Sequence, residues 1–135
     1  MIQGFRFDMI KFTIPLQPIT KKNSQQIIYN QKLKRSMIIP SKAYKQYEKD
    51  CKYFIKRLDE PIIEKVNVQA IYYMGTRRKV DLTNLHEALH DILVAYRVLE
   101  DDNCKIIAST DGSRVEYDKE NPRTEIIITK LKEGE

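Results

Sequence analysis

The stretch 66–108 constrains the fold more than any other part of the chain. Val66, Val68 and Ala70 alternate with polar residues and run into Ile71-Tyr72-Tyr73-Met74, the two-residue period of a strand. A basic loop follows, Gly75-Thr76-Arg77-Arg78-Lys79. Asp81 then caps a predicted helix whose apolar face is Leu82, Leu85, Leu89, Ile92, Leu93 and Tyr96. After a turn at Arg97, Ile106-Ile107-Ala108 reads as another strand. Strand, helix and strand in this order predict an α/β (α+β) fold built on a mixed sheet.

The flanking sequence adds elements to that unit. Ile10, Phe12 and Ile14 alternate with Lys11 and Thr13 as a half-buried strand that Pro15 ends. Beyond the polar loop 17–24, residues 26–29 and 37–39 read as a hairpin around the basic turn Lys32-Leu33-Lys34-Arg35. Pro40-Ser41 opens a second main helix, with Ser41 as N-cap. Its apolar stripe is Tyr44, Tyr47, Cys51, Phe54, Ile55 and Leu58, and Lys42, Lys45, Lys49, Lys52 and Lys56 lie on the other faces. Asp111-Gly112 carries a strong hairpin signal, with a strand over 113–117 after it and a last strand over 124–131. Neither a repeat nor an interdomain linker interrupts the chain, so 1–135 is expected to be one domain.

Composition excludes several classes. At 135 residues and 41% hydrophobic, the chain can build a real core. No run of about 18 apolar residues exists, so no membrane span is expected. The N-terminus has no contiguous apolar h-region, and no secretory signal is read there. Cys51 and Cys104 lack CxxC spacing and fit reduced thiols, so a cytoplasmic location is expected. Without a GxxxxGK[ST] pattern, no nucleotide cofactor is expected either.

Charge is segregated along the chain. Residues 1–80 hold 17 Lys/Arg and 6 Asp/Glu, a balance of +11, whereas 81–135 hold 7 and 13, a balance of −6. A basic half beside an acidic half suits a nuclease, which grips phosphates with cations and holds a divalent metal with acids. A solvated surface with chance segregation would give the same sums. Among the acids, Asp81, Asp91, Asp101 and Asp102 can converge, because a strand end and the next helix start often lie near one another in α/β units. Hard cations such as Mg²⁺ take one or two carboxylates plus waters and substrate phosphate. Asp101-Asp102 is expected to begin the strand that follows the helix; the plainer readings are an N-cap for Asp81 and a solvated turn for Asp101-Asp102. Lys21, Lys22, Arg77, Arg78 and Lys79 are the loop cations beside these acids, suited to duplex or branched DNA backbones.

His86-Glu87-Ala88-Leu89-His90 satisfies HExxH on a predicted helix, the zinc-protease pattern. That motif fixes only three residues and needs a third ligand downstream. Glu116 could serve, but nothing singles it out.

A longer pattern points elsewhere. Residues 77–85, with Arg77-Arg78-Lys79 before Asp81-Leu82-Thr83-Asn84, then Leu89-His90-Asp91, then Glu100-Asp101-Asp102, resemble the RusA family of Holliday junction resolvases. Lys21-Lys22-Asn23-Ser24 and the Pro40-Ser41 helix start are similar too, and the resemblance covers about residues 10–130 in order and spacing. It implies a homodimeric, Mg²⁺-dependent endonuclease, with Mn²⁺ as a substitute, of a bacterial or phage-infected bacterial cell. Such an enzyme makes paired symmetric nicks in four-way or branched DNA during recombination and repair. By position, Asp81 matches the family's first catalytic Asp and Asp102 its last, with Asp101 beside it. Asn84 and Asp91 match the other polar positions, and Asn23 joins Lys21 and Lys22 on the DNA-binding side. Thr83 and Glu87 depart from the pattern, where the family commonly has an Asp and often a Lys. The implied metal ligands are therefore Asp81, Asp101 and Asp102, with Asp91 or Glu87 in reserve. The same departures admit a non-catalytic binder of branched DNA.

Overall fold

The computed structural model describes residues 7–21 and 25–132. Its sheet is centred on β7 (Arg123–Lys130), which pairs antiparallel with β1 (Met9–Ile14) on one side and with β4 (Val66–Met74) on the other. Register aligns Ile10, Ile128 and Val68 in one row, Phe12, Ile126 and Ala70 in the next, and Ile14, Thr124 and Tyr72 in a third. Side chains directly opposite in an antiparallel pair share a face, so these rows make one continuous inner surface. All but Phe12 in them are buried.

Two helices lie over that surface. α1 (Lys42–Cys51) contributes Tyr44, Tyr47 and Cys51 to the core, and α2 (Leu82–Ala95) contributes Leu85, Ala88, Leu89, Ile92 and Leu93. The Tyr96 hydroxyl at the end of α2 donates to the Glu48 carbonyl of α1 at 2.8 Å, which ties the helices together. The expected α1 stripe is cut short. The helix tightens into a 3₁₀ turn at Lys52–Phe54, which leaves Phe54 exposed while Ile55 returns to the core. A 3₁₀ turn advances three residues per turn instead of 3.6, so a stripe projected at helical spacing drifts off the core.

α2 ends where Arg97 adopts a left-handed backbone, φ 62°. Val98 N–H donates to Leu93 O at 2.8 Å and Arg97 N–H to Val94 O at 3.1 Å, the two bonds of a Schellman cap. The reversed chain buries Val98 and Leu99, and Leu99 bridges to Ile62.

The Asp111-Gly112 turn does not make a hairpin. β5 (Ile107–Ser109) and β6 (Arg114–Tyr117) never pair with each other; both run parallel to β4, β5 at its start and β6 at its end. Asn67 causes this. Its Oδ1 accepts from Ser109 Oγ at 2.6 Å and Asp111 N at 2.7 Å, pinning the turn to the edge of β4 so that the chain continues along it. Gly112, at φ 86°, makes the step, and a Cβ there would meet the Gln69 side chain. The result is a mixed five-stranded sheet plus a separate two-stranded sheet, β2 (Gln25–Asn30) with β3 (Arg35–Pro40), as the sequence period predicts. Among the described residues no helix is long and apolar enough to cross a membrane, and both cysteines are free.

Candidate active site and nucleic-acid surface

Asp81 stands at the N-cap position of α2 with an extended backbone, φ −88° and ψ 127°. Its carbonyl accepts the Leu85 N–H at 3.1 Å, so the helix starts there. Its carboxylate makes no capping hydrogen bond, and among the described residues it meets the Asn84 amide at 3.4 Å. The plain N-cap expectation therefore holds for the backbone and fails for the side chain, which is exposed and uncommitted.

Asp91 lies two and a half turns along the same helix. Lys21 reaches it across 70 positions of sequence with an ion pair of 2.5 Å, each side chain about one-third exposed. That hydrogen bond, with the charges of Asp91, Glu48 and Glu87, holds the Lys21 ammonium above its ordinary range against the burial that opposes it. The ammonium also sits 5.9 Å from the centre of the Tyr44 ring. Lys21 is thus placed between the helices on an acid. Lys22 and Asn23, expected beside it, lie outside the described residues.

Asp101 and Asp102 do not begin a strand. They stand in an exposed segment, and a turn built on Asn103 separates them from β5: Asn103 O accepts from Ile106 N and Ile107 N, and its Oδ1 from Lys105 N. Asp101 Oδ1 accepts the Asp102 N–H at 2.7 Å and Oδ2 accepts Asn103 Nδ2 at 3.0 Å, which holds the Asp101 carboxyl below its usual range. The Asp102 carboxyl moves the other way. Partial burial pushes it up, and Asp101 and the charge of Asp91 push it further. Asp91, Asp101 and Asp102 therefore share one electrostatic neighbourhood, although they come from a helix and a turn beyond it. Among the described residues, no three His, Cys, Asp or Glu side chains converge as a metal cage. A hard cation needs fewer protein ligands than that when substrate phosphate completes its shell. The exposed carboxylates of Asp81 and Asp102 are oxygen donors of the type such a cation takes.

The cations form a second feature. The loop before α2 exposes Arg77, Arg78 and Lys79, with Arg77 stacked 3.9 Å from the Tyr117 ring. Arg78 and Lys79 line an open cleft of about 720 Å³ with Gln17, Thr20, Lys119 and Val80, the residue before Asp81. Gln17 Oε1 accepts the Gly75 N–H at 2.7 Å, and a Cβ on Gly75 would lie 2.9 Å from Pro122 Cγ, so a glycine is needed for the loop to close on its neighbours. Lys119 escaped sequence reasoning, because Asp118-Lys119-Glu120 reads as an ordinary mixed-charge turn.

The HExxH histidines do not form a metal pair. Their rings stack at 5.4 Å and 8°, and His86 Nδ1 is hydrogen-bonded to the Tyr72 hydroxyl at 2.7 Å. Burial lowers both pKa values, that of His90 to about 4 with help from His86. They are packing residues beside the apolar stripe.

The family model described as endodeoxyribonuclease RusA matches residues 15–129, from just after β1 to the penultimate residue of β7, and takes in every acid and cation of the candidate site. No curated protein matches the chain.

Proposed function

The chain belongs to the RusA endodeoxyribonuclease family, and from that premise we propose that it is a Mg²⁺-dependent endonuclease that resolves four-way DNA junctions by paired nicks. The observation that carries this reading is Asp81: an exposed carboxylate, free of its capping role, next to a cleft lined by Arg78, Lys79 and Lys119. Family membership over most of the chain replaces the zinc-protease alternative, as does the stacked geometry of His86 and His90.

Asp81 and Asp102 would hold the ion, with Asp101 beside them. When bound, Mg²⁺ supplies charge stabilisation at the scissile phosphate and orients the attacking water. The protein's own groups do the rest. Asn103 and the Asp102 amide fix the Asp101 carboxylate in one orientation. Lys21 engages one oxygen of Asp91, which leaves the other to accept a proton from water. Arg77, Arg78, Lys79 and Lys119 hold the arms by their phosphates, with Lys22 and Asn23 assigned to the same surface. Two symmetric nicks call for two sites, which a C₂ homodimer supplies.

The test is cleavage of a synthetic four-way junction with Mg²⁺, beside a linear duplex of the same sequence. Paired nicks in the junction alone are expected; a protein that neither binds nor cuts it at low salt would overturn the proposal. A second reading, a non-catalytic branched-DNA binder, is favoured by Thr83 and Glu87, exposed residues on α2 where the family pattern has an Asp and a Lys. It predicts tight junction binding in EDTA and no cutting with either Mg²⁺ or Mn²⁺.

A further inference from the structure

The β2–β3 hairpin stands apart from the main sheet, six paired residues on each side joined by a loop at 31–34. The loop is tied by Asn30 Oδ1, which accepts the Leu33 N–H at 3.0 Å, and Lys34 takes a left-handed backbone, φ 52°. The turn is therefore built, yet what it presents is apolar. Ile27 and Tyr29, two apart and so on one face, are 75% and 60% exposed, and Leu33 at the tip is 53% exposed. An isolated two-stranded hairpin is marginal in water, and exposed apolar clusters rimmed by polar groups mark interaction sites.

Charge identifies the partner. Lys32, Lys34 and Arg35 are exposed around that tip. More broadly, residues 9–47 carry eight Lys/Arg and no Asp or Glu. A second copy of this surface would be repelled by it. The occupant must be anionic and also offer flat apolar faces, which describes nucleic acid where bases are exposed. Intact duplex hides its base faces in the stack, whereas a branch point interrupts stacking. We propose that the β2–β3 hairpin is a branch-point reader: Tyr29 and Ile27 stack on bases opened at the crossover while Lys32, Lys34 and Arg35 hold the flanking phosphates. This rests on the reading of the protein as acting on branched DNA.

The experiment uses the full chain in EDTA with a four-way junction carrying 2-aminopurine beside the branch, and a linear duplex of the same sequence. The wild type is expected to prefer the junction and to quench the probe. Tyr29→Ala combined with Ile27→Ser should weaken junction binding by roughly tenfold, the scale of one lost base–aromatic stack, abolish the quench and leave duplex binding within about twofold. Tyr29→Phe, which keeps the ring, should retain both preference and quench. Neutralising Lys32, Lys34 and Arg35 to Gln should weaken junction and duplex together. Variants that bind and quench like a junction-preferring wild type would overturn the hairpin assignment alone. So would variants whose only change is a fall from dimer to monomer in sedimentation, since the hairpin would then join two copies. A wild type with no preference for the junction would overturn the functional reading as well.

Discussion

The two helices begin with the same backbone device and use it differently. Ser41 before α1 has an extended backbone, and its hydroxyl accepts the Tyr44 N–H at 3.1 Å, a completed N-cap. Asp81 before α2 is equally extended, yet its carboxylate caps nothing. Asp is among the best capping residues, so leaving it out of the cap forgoes about 1 kcal/mol of stability. On the proposed reading, the contrast separates a position used for folding from one kept for chemistry. It also yields the largest predicted effect. Asp81→Asn should reduce junction cleavage at least about 100-fold, about 2.7 kcal/mol of barrier, with urea stability within about 0.5 kcal/mol and EDTA binding near wild type. Ser41→Ala should show the reverse: a stability loss of about 1 kcal/mol and unchanged cleavage by the folded protein. If Asp81→Ala lost about 1 kcal/mol of stability, as Ser41→Ala is expected to, the two caps would be alike after all.

The helices also differ in the groups they bury, which predicts opposite pH limits. α1 places Tyr44, Tyr47 and Cys51 in the core, and burial pushes all three up, Cys51 to about 12. Their stabilising effect is whole below the unfolded value, 9.0 for the thiol, and is lost as pH rises from there. α2 carries the partly buried His90, held at about 4 against an ordinary 6.5. There the unfolded chain binds the proton more readily, so stability is whole above pH 6.5 and falls as pH drops towards 4. The loss should be on the order of 2 kcal/mol by pH 4, because each tenfold difference in proton affinity between the folded and unfolded chain is worth about 1.4 kcal/mol and solvent reaches part of the ring. Urea titrations at about pH 7, 5.5 and 4.5 check it. His90→Leu should flatten the acid limb and leave the alkaline limb in place; an unchanged acid limb would place the sensitivity in the carboxylates.

How much of this could be read from the sequence depends on whether the cause is local. The strand at 66–74, the helix after Asp81 and the hairpin around residues 31–34 follow from period and turn chemistry, which act within a few residues. The Asp111-Gly112 signal is locally right, since the turn forms, and globally misleading, because Asn67, more than forty positions away, decides where the chain goes next. The residue types of the site were legible as acids beside cations. The Lys21–Asp91 pair, the place of Lys119 in the cleft and the uncommitted Asp81 side chain were not, for each is fixed by packing between distant segments.

The surfaces around the two helix starts also carry different cations. Arg78 and Lys79 precede α2 and line the cleft, whereas Lys45 and Lys49 stand on the outer face of α1. Replacing Arg78 and Lys79 by Gln should flatten the salt dependence of junction binding by about 1.8 log units per decade of salt per subunit, two phosphates at about 0.9 each. The Lys45 and Lys49 pair should do less. Equal changes would mean that the basic half acts diffusely rather than through the cleft.

The far ends of the helices supply the smallest prediction. α1 runs on into a 3₁₀ turn with a right-handed backbone at Lys52, whereas α2 stops sharply because Arg97 is left-handed. A Cβ in that conformation costs about 1–2 kcal/mol, which a glycine avoids. The cost is sustained here because Val98 and Leu99 are driven into the core immediately afterwards, and that reversal sends the chain on to Asp101 and Asp102. Arg97→Gly should therefore stabilise the fold by about 0.5–1 kcal/mol, less than the full relief because glycine also gives the unfolded chain more freedom. Thermal unfolding would register a rise of roughly 2–4 °C. Arg97→Ala keeps the Cβ and should leave the melting temperature unchanged, so a gain from both variants would locate the effect in the lost guanidinium instead of the backbone. Cleavage should stay at the wild-type rate in Arg97→Gly, since the cap's two hydrogen bonds are made by backbone groups that the substitution keeps.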